Sequence, residues 1–277
     1  MSQPPHQTTA KRRSPEWLRG VVRPAAPLLL GVVVLGVWEA GCRMNDVPQY
    51  VLPAPSRIAA DAAESKAELI AAAGVTLRTT LIALALAVAS GVLMALVFTS
   101  SRIVELSLYP YAVILQVTPL VAVAPLLIVW IEQPWAVMIV CAWIVAFFPM
   151  LSGTVTGLRS ADRGLVDLFA LYGATPWQRF RLLLAPSALP YFLSGLRVSV
   201  NLSLIGAVVG ELVTGAGADK PGLASTVLDA QIGFAIDHMF AALGTISLLG
   251  VVLFFATHLL TQSLLGRWHE SALPDAR

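Results

Sequence analysis

Six apolar stretches dominate this chain, near Pro27–Gly41, Val75–Phe98, Leu106–Ile131, Ala136–Thr156, Phe192–Val213 and Met239–Leu264. Crossing ~30 Å of hydrocarbon as an α-helix takes about 20 residues, so each stretch can span a bilayer, the first with help from flanking residues such as Val22. The stretches are continuous, without the ~10-residue alternation that a membrane β-barrel requires. The expected fold class is therefore an all-α integral membrane protein with six transmembrane helices. Composition agrees: with 57% hydrophobic and 12% charged residues, 277 residues have too little polar surface for a water-soluble globule. Residues 1–20 are expected to form a disordered cytoplasmic tail, 21–268 one transmembrane domain, and 269–277 a cytoplasmic C-terminal tail.

An even number of spans puts both termini on one side. Lys11, Arg12, Arg13, Arg19 and Arg23 precede the first span, Arg102 lies between the second and third, and Arg159, Arg163, Arg179 and Arg181 lie between the fourth and fifth. The positive-inside rule makes these segments cytoplasmic. The opposite side pairs Arg43, Arg57, Lys66, Arg78 and Lys220 with numerous carboxylates, among them Asp61, Glu68, Asp219 and Asp237. A net charge of +2 is accounted for by this orientation and points to no nucleic-acid partner. Cys42 and Cys141 are the only cysteines, one at the outer end of the first span and one inside the fourth, which is no disulfide framework. Although Trp38–Cys42 follows a basic region and an apolar run, Glu39 is badly placed for a lipid-attachment box and five further spans follow, so the first span is expected to remain as an anchor. Arg57–Ala73, rich in alanine, is expected to form a surface helix leading into the second span.

Between Leu165 and Pro190, Asp167, Gln178, Arg179 and Arg181 interrupt the apolar chain. The segment reads as two short helices hinged at Tyr172–Thr175. Gly173 is placed to end the first in a left-handed cap, while Thr175, Pro176 and Gln178 fit the N-cap, the first-turn proline and the capping-box partner of the second. The run Asp167-Leu-Phe-Ala-Leu-Tyr-Gly173, nine residues, then Leu183-Leu-Ala-Pro186 resembles the coupling loop of permease subunits of ATP-binding-cassette importers. That family's motif reads E-A-A-x-x-x-G, nine residues, I-x-L-P. Asp167 stands for the Glu, Leu168 and Phe169 for the alanines, Leu183 for the Ile and Ala185 for the Leu, while Gly173 and Pro186 keep their separation. The resemblance runs from Leu52 to Trp268, and Leu108–Tyr111, Thr118–Leu126, Gly157–Ser160 and Tyr191–Arg197 are most similar to the thiamine-precursor branch of the nitrate, taurine and sulfonate uptake permeases.

What the resemblance implies is alternating-access import. A second copy of the chain completes the pathway, a dimer of cytosolic ATPases carries ATP and magnesium, and an extracytoplasmic solute-binding protein delivers the solute. Asp167, Phe169, Gly173, Ala174, Thr175, Pro176, Trp177 and Pro186 would then meet the ATPase. An alternative for the same segment is an amphipathic hairpin lying on membrane lipid, anchored by Trp177, Phe180 and Leu184.

The sequence holds no G-x-x-x-x-G-K-[ST] phosphate loop, no H-E-x-x-H and no nucleophile elbow, and His6, His238, His258 and His269 are scattered. Neither a catalytic residue nor a metal site nor a bound cofactor is therefore expected in this chain. For the solute pathway the candidates are Gln116 and Thr118, ahead of Pro119 and Pro125 in the third span, and Ser199, Asn201 and Ser203 in the fifth. Ser199 and Ser203 share a helical face and Asn201 is turned roughly 200° away, so they cannot all face one pathway. Helix–helix hydrogen bonding is the competing role, favoured by the small residues Gly206 and Gly210. The two prolines can kink their helix, and Glu39 and Glu211, near the outward ends of their spans, are expected to have gating or structural roles. The rival class, an ion-gradient-driven transporter, would show mid-membrane carboxylates or paired broken helices.

Overall fold

In the computed structural model, which describes residues 16–215 and 221–265, the chain is a bundle of helices. In chain order these are α1 (Glu16–Met44), α2 (Pro55–Glu64), α3 (Lys66–Ser100), α4 (Arg102–Val117), α5 (Leu120–Trp130), α6 (Pro134–Arg159), α7 (Arg163–Leu171), α8 (Pro176–Arg179), α9 (Ala185–Thr214), α10 (Leu223–Ile232) and α11 (Ile236–Leu265). Residues 1–15 and 266–277, with most of both expected tails, lie outside the described residues. Glu16–Gly20, expected as tail, belong instead to α1.

Among the described residues, four helices are long and apolar enough to cross a membrane: α3, α6, the continuous helix Pro176–Thr214, and α11. A fifth crossing is available if α4 and α5 together make one. Leu106–Ile131, expected as one span, is broken. Val117 ends α4, Thr118 and Pro119 are extended, and α5 leaves at 102° to α4. Proline disfavours helical backbone in the residue before it, and Pro119 has no N–H for the ladder, so the apolar run continues while the helix cannot. Pro119 thus occupies the N-cap of a new helix, and Pro125 lies inside that helix. The expected surface helix Arg57–Ala73 is divided too. Ser65 closes α2, and residues from Lys66 onward already belong to α3.

The core is built on α6, packed between α3 and α9. On α3 it presents small side chains about once per turn, Ala72, Thr76, Thr80, Ala83, Ala87, Gly91 and Ala95, all buried. On the α6–α9 seam the backbones touch. A Cβ on Gly206 would lie 2.6 Å from the Ala142 Cα, one on Gly210 2.8 Å from the Met138 Cα, and one on Gly195 2.8 Å from the Pro149 carbonyl oxygen. Lipid tails give apolar helices no hydrophobic reason to associate, so close backbone approach and the dispersion it brings must hold them together. Polar pins add direction: Ser199 Oγ donates to the Ala146 carbonyl at 2.8 Å, and Trp143 Nε1 to Ser90 Oγ at 3.0 Å. Leu81, Leu86, Leu93, Leu248, Val251 and Phe255 are exposed on the outside, the arrangement expected of a bundle solvated by hydrocarbon.

At the end of the bundle where α1 meets α2, Glu39 accepts from Arg43 Nε at 2.6 Å, from the Ser56 amide at 3.0 Å and from Ser56 Oγ at 2.8 Å. The carboxylate fastens the start of α2 to α1. Cys42 is buried beside it, its thiol 3.7 Å from the Leu52 carbonyl oxygen.

Candidate functional site

The segment after α6 is a helix-turn-helix whose every cap is local. Asp162 opens α7, accepting from the Leu165 amide at 3.1 Å. Gly173 has φ +67°, the left-handed backbone that a residue with a Cβ adopts only at a cost. Thr175 Oγ1 accepts from the Gln178 amide at 3.2 Å while Gln178 Oε1 accepts from the Thr175 amide at 2.8 Å, a complete capping box with Pro176 in the first turn. Beyond α8 the helix widens into a π-helical turn, Phe180–Leu184, before α9. Pro186 sits where a regular ladder would press its ring against the carbonyl of Leu182, and the wider turn precedes that clash.

The apex of this hairpin is apolar and outward-facing. Leu171 is 85% exposed and Tyr172 83%. Trp177 is exposed as well and stacks on Phe180 with ring centroids 5.8 Å apart. Asp167, Gly173, Thr175, Pro176 and Pro186 are exposed and Phe169 and Ala174 partly so, which places the predicted contact residues on one short element.

Gln116, on the last turn of α4, lines a groove of about 300 Å³ between α4, α6 and α9. Ser152, Thr156, Tyr191 and Ser194 line it with Gln116, and Phe148 supplies an aromatic wall. Ser152, Thr156 and Tyr191 also line an adjoining hollow of about 460 Å³ that ends at Glu105 and Arg159. Asn201 is exposed and continues the α9 face of Ser194 and Val198 by one turn. The other candidates are elsewhere. Ser199 and Ser203 are buried against their neighbours, Ser203 Oγ donating to the Val200 carbonyl at 2.9 Å. Thr118 Oγ1 turns back on the Ile114 carbonyl at 2.6 Å.

Glu211 is not at a wet helix end but fully buried. Its Oε2 accepts from the Ala224 amide at 2.8 Å, so the carboxylate caps the N-terminus of α10, where the helix dipole favours negative charge. A Cβ on Gly222 would fall on the Glu211 carboxylate as it stands, so the Glu211 side chain would have to move off the α10 N-terminus. Thr76 Oγ1 accepts from the Leu223 amide at 2.9 Å, tying the same helix start to α3.

Sequence reading missed the groove residues Ser152, Thr156, Tyr191 and Ser194, as well as the ion pair at its end. Both Nη atoms of Arg159 donate to the Glu105 carboxylate, at 2.8 and 2.7 Å, and Arg102 donates to the same group at 2.9 Å. The available signal was a lone carboxylate in the otherwise apolar run that starts at Ile103. Among the described residues, no cluster of three potential metal ligands is present.

Several helices long and apolar enough to cross a membrane define a multi-pass membrane protein, and comparison with known proteins makes its class specific. Residues 87–266 match the family of binding-protein-dependent transport system inner membrane components, and the chain belongs to that family, as a permease component of ATP-binding-cassette importers. It is 34% identical over 240 residues to the formylaminopyrimidine transport permease protein ThiX of Halalkalibacterium halodurans, covering 86% of this chain and 94% of that one. It is 33% identical over 254 residues to the riboflavin transport system permease protein RibX of Chloroflexus aurantiacus, covering 87% and 88%. A crystallised amino acid ABC transporter shares the fold, with a TM-score of 0.59 at 18% identity over 74% of this chain and 96% of that chain.

Proposed function

We propose that this chain is one half of the membrane channel of an importer, that it pairs with a second copy of itself, and that residues 163–184 are its docking element for a cytosolic ATPase dimer. The observation that carries this reading is the hairpin apex, where Leu171, Tyr172 and Trp177 stand in solvent on a turn locked by Gly173 and the Thr175–Gln178 capping box. Burying such side chains in a cleft on a partner gains roughly 25 cal/mol per Å² of apolar area. Closure of the ATPases around bound ATP and magnesium would then move the ends of α6 and α9. On this reading the hairpin end is cytoplasmic, both termini share that side, six spans include α1, and α10 faces the extracytoplasmic binding protein.

Two facing copies of the Gln116 groove form the solute path, with Asn201 one turn further along. The groove offers an amide, hydroxyls and aromatic rings. Its one cation among the described residues is Arg159, already held by Glu105. Such a lining suits an uncharged hydrogen-bonding ring compound better than a permanent anion, whose desolvation it would not repay. A pyrimidine precursor of thiamine is the solute that this lining and the similarity to ThiX favour, ahead of sulfonates, taurine or nitrate. For an ion-gradient-driven mechanism Glu211 is a poor carrier, since it is fully buried away from the groove and its Oε2 is held at the start of α10.

Gly173→Asp tests the docking assignment. It forces a Cβ onto left-handed backbone, costing about 1 kcal/mol or more, and adds a charge at the apex. The spans do not depend on that turn. The purified variant should insert and pair normally yet fail to retain the ATPase in a pulldown. Retained ATPase together with wild-type uptake would refute the assignment.

A further inference from the structure

We propose that the Glu105–Arg159 ion pair is a strut that makes the broken span α4–α5 follow the hairpin when the ATPase moves it. The inference rests on the docking role given above to residues 163–184. Three observations build it. First, Arg159 is the last residue of α6, three positions before Asp162 opens α7. Ser160 Oγ donates at 2.8 Å to the Gly157 carbonyl and at 3.1 Å to that of Ser187 in α9, so the hairpin's two ends are tied to each other at its base. A displacement of the hairpin therefore arrives at Arg159.

Second, the fork to Glu105 is a two-point contact. Two parallel N–H···O bonds between a planar guanidinium and a planar carboxylate fix orientation as well as distance. Glu105 itself is nearly buried and Arg102 adds a third bond, while both guanidiniums stay partly exposed, so what the fork contributes is fixed geometry rather than a large energy. Among the described residues, the Arg159 bonds are the only side-chain hydrogen bonds joining α4 or α5 to another part of the bundle. The other contacts of α4 include aromatic ones, Tyr109 to Phe98 at 6.3 Å and to Phe148 at 6.2 Å between ring centroids, which allow sliding. Those contacts let α4 shift; the fork decides which neighbour it shifts with.

Third, there is a hinge and something to move. Thr118 and Pro119 interrupt the helix at the 102° bend, where no ladder bond resists rotation. Between hinge and fork lie the groove at Gln116 and the hollow ending at Glu105 and Arg159, sharing Ser152, Thr156 and Tyr191. If α4 travels with α6, the groove keeps its width at the fork and changes at the hinge. Without the fork, α6 moves and α4 stays behind. Glu105 and Arg159 are thus positioning residues that touch no ATP and need not touch solute.

The test uses the full complex of permease and ATPase in lipid nanodiscs, with spin labels read by pulsed electron resonance before and after trapping with ATP, magnesium and vanadate. One label pair reports α4 (Ile103→Cys with Leu248→Cys), and the other reports the hairpin (Leu168→Cys with Leu248→Cys), all at exposed positions. In the parent protein both distances should shift on trapping. Glu105→Gln should at least halve the α4 shift and leave the hairpin shift intact, and Arg159→Lys, which keeps the charge but loses the fork, should fall between. An α4 shift unchanged in Glu105→Gln would overturn the strut. A hairpin that does not shift even in the parent protein would instead remove the docking role, a failure distinct from that of the strut.

Discussion

The seam between α6 and α9 is set by glycine, so adding one methyl group to it should cost more than removing one from most cores. In Gly206→Ala the new carbon would lie 2.6 Å from the Ala142 Cα and 2.6 Å from Val145 Cγ2. Carbon atoms prefer 3.5–4.0 Å, so the helices must part by about 1 Å or the Val145 rotamer must change. Val145 can turn, but the Ala142 backbone cannot. Parting the helices also loosens Gly210 on Met138, one turn along the same seam. Overpacking of this kind costs about 1–3 kcal/mol. The suitable controls are Gly74→Ala and Gly244→Ala, helical positions where an added Cβ meets nothing within 4 Å. There alanine should be neutral or gain about 0.5–1 kcal/mol through helix propensity. The seam variant and the controls should therefore differ by about 1–4 kcal/mol, roughly a fivefold to several-hundredfold change in the unfolding equilibrium. Reversible SDS unfolding followed by tryptophan fluorescence measures it. If Gly206→Ala unfolds together with the controls, close backbone approach is not what holds α6 to α9.

Two further outcomes follow from orientation and pathway. Cysteines at Arg163 and Arg179 should react with membrane-impermeant thiol reagents only from the cytoplasmic side and one at Asp229 only from outside; labelling of Arg163→Cys from outside would reverse the assigned topology. Asn201→Leu and Gln116→Leu, both at exposed positions, should lower uptake of a radiolabelled thiamine pyrimidine several-fold while membrane abundance and ATPase retention stay normal. Loss of folded protein in either variant would place that residue in packing instead.

What was legible in the sequence shares one property, short range. The caps at the turn between α7 and α8 are made by residues within four positions of one another, so Gly173, Thr175 and Gln178 announce them without knowledge of the rest of the chain, and the Asp162 cap, equally local, went unread. Apolar length is likewise local, which is why α3, α6, α9 and α11 fall close to the expected spans. The same signal misled at Leu106–Ile131, because hydropathy records what lipid tolerates and says nothing about whether Pro119 lets the ladder continue. The small-residue stripe from Ala72 to Ala95 was readable in principle, since its spacing of about four is a helical period, but its partner helix was not.

The two buried carboxylates mark the limit more sharply. The Glu105 partner Arg159 lies 54 residues away, and the Ala224 amide that Glu211 accepts from lies 13 residues away. Sequence position put Glu211 near a wet helix end, where an unpaired carboxylate is cheap. Folding instead brings the start of α10 back over it, with Gly222 leaving room for the Glu211 carboxyl where it stands. A buried carboxyl needs a donor within reach, and the one that reaches Glu211 Oε2, the Ala224 amide, is a backbone group that no sequence motif registers. The same logic applies at the other end of the bundle. There Arg159 reads as one more cytoplasmic positive charge until the fold sets its guanidinium on Glu105, and a residue counted for topology becomes the candidate link between ATP and the path of the solute.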